Sequence, residues 1–153
     1  VVGEGEEIVP EHDNIEASRK WFEALTAHDV NQLRELRAPG YTLDHPGFSD
    51  LVGADEEDEW LQRLCRTYPD WRLQIRQVVA QGEFVVVTGL RIGTQLGPIM
   101  ESAVEARVPT EKRLAFRVCN VLQFDDCGRV IHSALYYDRL GLMKELGMLT
   151  QGL

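Results

Sequence analysis

The stretch Leu114–Phe124, LAFRVCNVLQF, constrains the fold more than any other part of the chain. Successive side chains of a strand point to opposite faces, so alternate residues of this stretch share one face of a predicted strand. That face consists of Leu114, Phe116, Val118, Asn120, Leu122 and Phe124. Asn120 is its only polar member, and a buried amide is costly unless it is hydrogen-bonded. The stretch therefore predicts a strand that faces an apolar space, where Asn120 serves either a fixed protein partner or a ligand.

The remaining patterns follow an order that is typical of an α+β domain. Periodicity and capping residues predict helices at residues 13–28, 29–38, 54–68 and 138–146, and strands at 41–46, 71–79, 83–92, 114–124 and 130–137. Because helices come first and antiparallel strands follow, we expect a cone-shaped, curved and mostly antiparallel sheet. It would wrap around the N-terminal helices and enclose a hydrophobic pocket. Residues 93–110 are rich in glycine and proline, and a loop there could cover that pocket.

Length and composition indicate a single folded unit. The 153 residues suit one domain, which we place at residues 12–147. Residues 1–11 carry many glutamates and little apolar surface, so they predict a flexible acidic tail. Residues 148–153 are expected to form a C-terminal tail.

Charge and cysteine content exclude several classes of protein. The net charge of -9 opposes binding to nucleic acids or anionic membranes, which need a concentrated basic surface. The three cysteines, Cys65, Cys119 and Cys127, are far apart and predict neither disulfides nor a zinc site. Neither a signal-peptide layout nor a long apolar run is recognisable, so we expect a cytoplasmic protein.

His45 and Asn120 are the candidate catalytic residues. Alternation along the first strand groups His45 with Tyr41 and Leu43 on the apolar face. An imidazole titrates near neutral pH, so His45 could act as a general base; the alternative is a histidine bonded to nearby backbone. Asn120 could donate its amide hydrogens to a carbonyl oxygen that becomes negative, or it could only tie its strand to a neighbouring loop.

Aromatic and inward-facing residues predict a wall for a flat hydrophobic ligand. The candidate substrate-binding residues are Trp21, Tyr41, Trp60, Phe116, Val118, Ser133, Leu135 and Tyr137. Most of the aromatic residues are expected to be core, with one or two touching ligand. The histidines show no ligand spacing and no nucleotide or flavin motif is present, so neither a metal nor another cofactor is expected.

The C-terminal motifs resemble a known family. The run FDDCGRV at 124–130, followed by DRLGLMKELG at 138–147, is similar to the ending of SnoaL-like polyketide cyclases, with Glu145 in place of a usual glutamine. The sequences YPDW at 68–71 and GTQLG at 93–97 also resemble that family. These proteins belong to the nuclear transport factor 2-like superfamily of α+β cones, and the resemblance covers residues 14–147.

The resemblance implies roles for three positions. Ketosteroid isomerase, in the same superfamily, has a catalytic aspartate immediately before a proline on its first strand, where this chain has His45. Its oxyanion donor corresponds to Asn120, and a tyrosine on its first helix corresponds to Trp21. Anthracycline-type cyclases carry an acid/base aspartate where this chain has Leu135, and a paired histidine at the position of Asn120. The usual cyclase mechanism therefore does not transfer intact.

Two functions remain open from the sequence. The first is a cofactor-independent cyclase, isomerase or lyase that acts on a hydrophobic polyketide-like small molecule in secondary metabolism. The second is a non-catalytic small-molecule-binding or assembly protein on the same fold. A homodimer is expected in either case, although arginines on the outer sheet face argue against an obligate hydrophobic interface.

Overall fold

Four helices and five strands make up the part of the chain that the computed structural model describes, residues 11–98 and 109–148. The helices are α1 (Glu11–Ala27), α2 (Val30–Leu36), α3 (Ala54–Thr67) and α4 (Arg139–Glu145). The strands are β1 (Arg37–Asp44), β2 (Arg72–Gln81), β3 (Phe84–Thr94), β4 (Arg113–Phe124) and β5 (Val130–Tyr137).

The strands form one curved sheet in the order β1-β5-β4-β3-β2. The pairs β2–β3, β3–β4 and β4–β5 are antiparallel, whereas β1 runs parallel to β5. Tight turns join β2 to β3 and β4 to β5, and Gly82 and Gly128 adopt the positive φ angles, 56° and 75°, that such turns need. The expected α+β fold with a mostly antiparallel sheet is confirmed.

Alternation along β4 matches the sequence pattern. The predicted inward residues are buried, apart from the partly exposed Phe116, whereas the opposite face is exposed or partly exposed. The inward face packs on α1, where Trp21, Phe22 and Leu25 are each less than 5% exposed. Burial of these aromatic and aliphatic side chains is the main source of stability in such a domain.

Two strands differ from the sequence prediction because each contains a register shift. In β1 the strand begins at Arg37 rather than Tyr41, and a shift between Arg37 and Thr42 takes up Pro39, which cannot donate to the ladder. In β2 a shift between Ile75 and Gln77 reverses the alternation. Val79, predicted to face inward, is therefore 63% exposed.

Both predicted tails and the covering loop fall largely outside the described residues. Residues 1–10 and 149–153 are not described, and Glu11 already belongs to α1. Of the predicted loop 93–110, Gly93 and Thr94 complete β3, and residues 99–108 lie outside the described ranges.

A buried ion-pair cluster ties α3 to β1. The Arg37 guanidinium donates to Glu57 Oε2 at 2.6 Å and to Asp58 Oδ1 at 2.8 Å. The rings of Trp21 and Tyr41 lie 5.9 and 5.2 Å from this guanidinium. These two aromatic residues, predicted as ligand contacts, thus pack around a structural cation.

No helix within residues 11–98 and 109–148 is both long enough and apolar enough to cross a bilayer.

Candidate functional site

A cavity of about 70 Å³ lies at the end of the sheet where β3 finishes and β4 begins. The helices α3 and α4 and the turn before β2 complete its wall. Its lining is mostly apolar and aromatic: His45, Trp60, Leu64, Tyr68, Trp71, Arg91, Ile92, Gly93, Leu114, Phe116, Tyr137 and Leu142. Among the described residues that line it, His45 and Arg91 are the basic ones and none carries a carboxylate. The volume is well below the roughly 300–1,000 Å³ of sites for drug-sized ligands, but a mostly apolar lining with a few polar groups is typical of small-molecule sites.

A local hydrogen bond fixes His45, which directly follows β1. The backbone N–H of Gly47 donates to His45 Nδ1 at 2.8 Å. Because Nδ1 accepts this bond, the proton of the neutral ring must lie on Nε2. Nε2 is buried and has no hydrogen-bond partner among the described residues. The ring therefore presents an unpaired N–H donor.

The surroundings of His45 keep its imidazole neutral. The ring is 4% exposed and lies 4.7 Å from the Trp60 ring and 5.8 Å from the Tyr137 ring, centroid to centroid. Burial, and secondarily the positive charges of Arg91 and Arg139, lower the pKa of His45 from 6.5 to about 3. At neutral pH His45 is thus an uncharged donor.

Arg91 brings a buried positive charge to the same cavity. It lies on the inward face of β3 and is 9% exposed. Its guanidinium carbon is 5.6 Å from the Trp60 ring and 5.3 Å from the Trp71 ring, within the range of cation–π contacts. Burial lowers the pKa of Arg91 to about 10, so the side chain remains charged at neutral pH.

Two short features shape the cavity around these groups. A Cβ atom at Gly93 would lie 3.2 Å from the Cβ of Tyr68 and 3.3 Å from that of Trp71, so glycine allows the turn before β2 to pack closely. Asp138 caps α4, with its carboxylate accepting the Gly141 N–H at 2.8 Å. This cap fixes the start of α4, the helix on which Leu142 lines the cavity.

The structure divides the residues predicted from the sequence into two groups. His45, Trp60, Phe116 and Tyr137 line the cavity. The others lie elsewhere in the inward face or core: Trp21, Tyr41, Val118, Asn120, Ser133 and Leu135. All six are at most 5% exposed, as is His45, so only their position relative to the cavity separates the two groups.

Leu135 separates the two predicted catalytic residues. Asn120 pairs with Leu135, and Asp44 pairs with Ala134, so continuing the β1–β5 register by one residue places His45 level with Leu135. Neighbouring strands are about 5 Å apart, so the backbones of His45 and Asn120 are separated by about 10 Å. Asn120 therefore lies two strands away from His45, on the far side of β5.

Sequence reasoning missed Arg91, the most polar member of the wall. Alternation from Val85 and Val87 predicts that Gly89, Arg91 and Gly93 face inward, and the structure shows this pattern. An arginine between two inward glycines was the available signal. Tyr68 was recognised as part of a family-like motif, and Trp71 both in that motif and as the first inward residue of the predicted strand 71–79. Their contribution to the wall depends on the turn that folds them over β3.

No group of three His, Cys, Asp or Glu side chains within residues 11–98 and 109–148 is placed to hold a metal ion.

Comparison with known families identifies the chain. The model of the SnoaL-like domain matches residues 18–133, well over half of the sequence. The protein belongs to the SnoaL-like domain family. A comparison with curated protein sequences finds no significant match.

Solved structures share the same fold at low sequence identity. A Jannaschia protein described as a candidate SnoaL-like polyketide cyclase is similar, with 22% identity, a TM-score of 0.78, and coverage of 96% of this chain and 99% of that one. TsrD from Streptomyces laurentii has 21% identity, a TM-score of 0.75, and coverage of 92% and 99%. An LEH-like epoxide hydrolase from M. tuberculosis has 20% identity, a TM-score of 0.66, and coverage of 91% and 93%. These likenesses establish the fold.

Proposed function

We propose that this protein is a cofactor-independent enzyme of the cyclase, isomerase or lyase type, acting on a hydrophobic, oxygen-rich small molecule of polyketide type. The observation that carries the proposal is the unpaired Nε2–H of His45 in an aromatic cavity. A buried donor without a partner is costly to a fold unless a ligand uses it. Family membership and the cyclase among the similar structures support the same reading.

His45 acts in this proposal as a hydrogen-bond donor rather than as a general base. A base would need a free lone pair on Nε2, and this requires moving the ring proton to Nδ1, against the Gly47 N–H. A neutral imidazole can instead polarise a carbonyl and stabilise the oxyanion that forms from it. The sequence had pointed to proton transfer by His45, and the geometry favours oxygen stabilisation.

The described residues of the lining offer no carboxylate, and this restricts the chemistry that we propose. We favour substrates in which a carbon lies between two carbonyl groups, because such a carbon loses its proton without a strong base. In a ring closure, the enolate carbon bonds to a second carbonyl carbon, and the C=O π electrons move to its oxygen. His45 stabilises that alkoxide, which then takes a proton from solvent. Epoxide hydrolysis, which needs a carboxylate to activate water, is not supported.

Two substitutions of His45 test the assignment. His45→Gln keeps an N–H donor near Nε2, whereas His45→Asn keeps only the acceptor that faces Gly47. Deuterium uptake at the carbon between the two carbonyl groups of aryl 1,3-diketones, and dehydration of their aldol adducts, can both be followed by NMR. We expect His45→Asn to lower the enzyme-dependent rate by about 10²-fold and His45→Gln by less than about 10-fold.

A control separates the site from general damage. His132 bonds to Thr42 Oγ1 at 2.8 Å and lies outside the cavity, so His132→Asn should retain the wild-type rate. A wild-type rate in His45→Asn would refute the proposal, and so would a complete lack of turnover of every ketone by the wild-type protein.

A non-catalytic binding protein on the same fold is the second candidate. Leu135, at the position where the resemblance places the cyclase aspartate, favours this alternative, and so does the lack of a carboxylate among the described wall residues. Saturable binding with full recovery of unchanged ligand by mass spectrometry would support it over the enzyme.

We also propose that the protein forms a homodimer through the outer face of its sheet. Val79 and Tyr136 are 63% and 55% exposed there, and a partner subunit would cover their apolar surface. Light scattering coupled to size-exclusion chromatography tests this proposal, and a monomer at micromolar concentration would contradict it.

A further inference from the structure

The buried guanidinium of Arg91 has no anionic partner among the described residues. No carboxylate within residues 11–98 and 109–148 forms an ion pair with it, and its Nε atom is buried without a hydrogen bond to any of them. An uncompensated charge at a site with 9% exposure is expensive, so buried arginines normally meet a carboxylate. The arrangement leaves room for an anion that the described chain does not supply.

We propose that the cavity binds ligands through a two-oxygen anion, either a carboxylate or an ionised 1,3-dicarbonyl group, with Arg91 as its main partner. This deepens the proposed function by naming the charge class of the ligand, and it rests on that proposal only in using the same cavity. It holds equally for a binding protein.

The described lining of the cavity carries the positive charge of Arg91 although the chain is acidic overall, with a net charge of -9. Both Arg91 and Arg139 are close enough to His45 to disfavour its charged form. Burial lowers the pKa of Arg91 and the charge of Glu57 slightly opposes that shift from a distance, but the Glu57 carboxylate is already bound to Arg37 at 2.6 Å. The described groups around the cavity thus leave a cationic centre.

The geometry of Arg91 suits a planar anion. Its ring contacts with Trp60 and Trp71 hold the guanidinium without engaging its N–H groups as hydrogen-bond donors. A guanidinium presents its donors as a fork, which matches the two oxygens of a carboxylate. An ionised 1,3-dicarbonyl group spreads its charge over two oxygens in the same way. The His45 Nε2–H supplies an additional donor at the wall.

The alternative is that Arg91 is a structural cation held by two indoles, with no ligand role. The two readings differ in one measurable property, which is the preference for an anion over its neutral isostere. A structural arginine in a merely apolar cavity predicts that the neutral compound binds as well as the anion or better.

Matched probes test this preference by calorimetry or tryptophan fluorescence. Benzoate is compared with benzamide, and ionised cyclohexane-1,3-dione with its neutral methyl enol ether. We expect at least one anion to bind about tenfold or more tightly than its neutral partner. Benzoate and the dione together distinguish a carboxylate ligand from a dicarbonyl ligand. Equal or weaker binding of both anions, or no binding of any probe, would overturn the inference.

Variants assign the preference to Arg91. Arg91→Met keeps the apolar stem and should abolish the anion preference, whereas Arg91→Lys should retain part of it. Arg117→Met, which removes an exposed arginine from β4, should bind like the wild type. If Arg91→Met does not fold, full retention of the preference by Arg91→Lys would contradict the fork geometry, and a reduction would support it. An undiminished preference in folded Arg91→Met would place the anion site elsewhere. Because no turnover is measured, a failure here is distinct from a failure of the His45 test.

Discussion

The Gly47 N–H donates to the Nδ1 atom of His45 across 2.8 Å, and this single bond decides which nitrogen of the ring faces the cavity with a proton. The donor belongs to the loop directly after β1, two residues from the histidine. A short-range contact thus controls the tautomer of a residue that the sequence could only identify as inward-facing.

Glycine at position 47 is required for the His45 ring to keep its place. A Cβ atom there would lie 2.9 Å from His45 Nδ1 and 3.1 Å from Cε1, which is too close for either ring atom. We expect Gly47→Ala to displace the ring and to lower the rate of the ketone exchange assay by about 10-fold, with a stability loss of about 1–2 kcal/mol. Gly53→Ala is the control, because its Cβ would approach only the flexible Glu56 carboxylate. Equal rates in the two variants would contradict the prediction.

Burial of neutral His45 should make stability depend on pH. The unfolded state takes up a proton near the ordinary pKa of 6.5, whereas the folded state does so only near 3. Between these pH values the unfolded chain binds more protons than the folded one. The contribution of His45 to the free energy of unfolding is therefore complete above pH 6.5 and is lost as the pH falls towards 3. At about pH 5 the loss from this residue alone is about 2 kcal/mol.

His45→Asn isolates that loss, since asparagine keeps an acceptor for Gly47 but does not titrate. Urea unfolding gives the free energy of unfolding of both proteins at about pH 7.5 and pH 5. Between these pH values, that free energy should fall by about 2 kcal/mol more for the wild type than for His45→Asn. If the free energy of unfolding depends on pH in the same way in both proteins, the prediction is wrong and the pKa of His45 is not lowered by folding.

The Arg37 cluster should dominate the electrostatic contribution to folding. Although burial lowers it, Glu57 and Asp58 raise the pKa of Arg37 above its ordinary value. Glu57→Gln leaves the buried guanidinium with one carboxylate, and we expect a loss of about 2–4 kcal/mol in urea unfolding. Arg34→Ala removes an exposed partner at 3.6 Å from Asp58 and should cost less than about 0.5 kcal/mol. Similar losses of unfolding free energy in Glu57→Gln and Arg34→Ala would contradict this prediction and would mean that solvent screens the buried ion pair.

Asn120 tests whether an inward polar residue is catalytic or only buried. Its Nδ2 atom has no hydrogen-bond partner among the described residues, and its paired neighbours are Val87 and Leu135. Asn120→Leu removes that unpaired donor, so we expect a stability gain of about 1 kcal/mol, whereas Asn120→Ala should be destabilising because it leaves a void. Since Asn120 lies outside the cavity wall, the exchange rate should stay within about threefold of wild type. A drop of tenfold or more would support the oxyanion role that the sequence predicted.

Local patterns were sufficient to predict most of the fold. Alternation along β4, the caps at Asp29 and Asp138 and the turn at Gly128 each depend on near neighbours in the chain. The register shift in β2 depends on pairing with β3, so the exposure of Val79 could not be read from alternation alone.

The site was predicted only in part, for a similar reason. Alternation showed that His45 and Asn120 face inward, but not how far along the sheet each one lies. The parallel register of β1 with β5 sets that distance, and it places Leu135 between them. The tautomer of His45 and the contacts of Arg91 with two indoles arise from loops and turns whose paths follow from tertiary packing.

The parallel pairing of β1 with β5 also has a consequence for biosynthesis. β1 is the first of the five described strands to leave the ribosome, yet its only partner strand within the described sheet is β5, the last of the five. Contacts over such a sequence separation form late, because a long loop must close before they are made. A nascent chain that stops before residue 130 would hold β1 without its partner strand, so His45 would reach its burial site only after β5 had been translated.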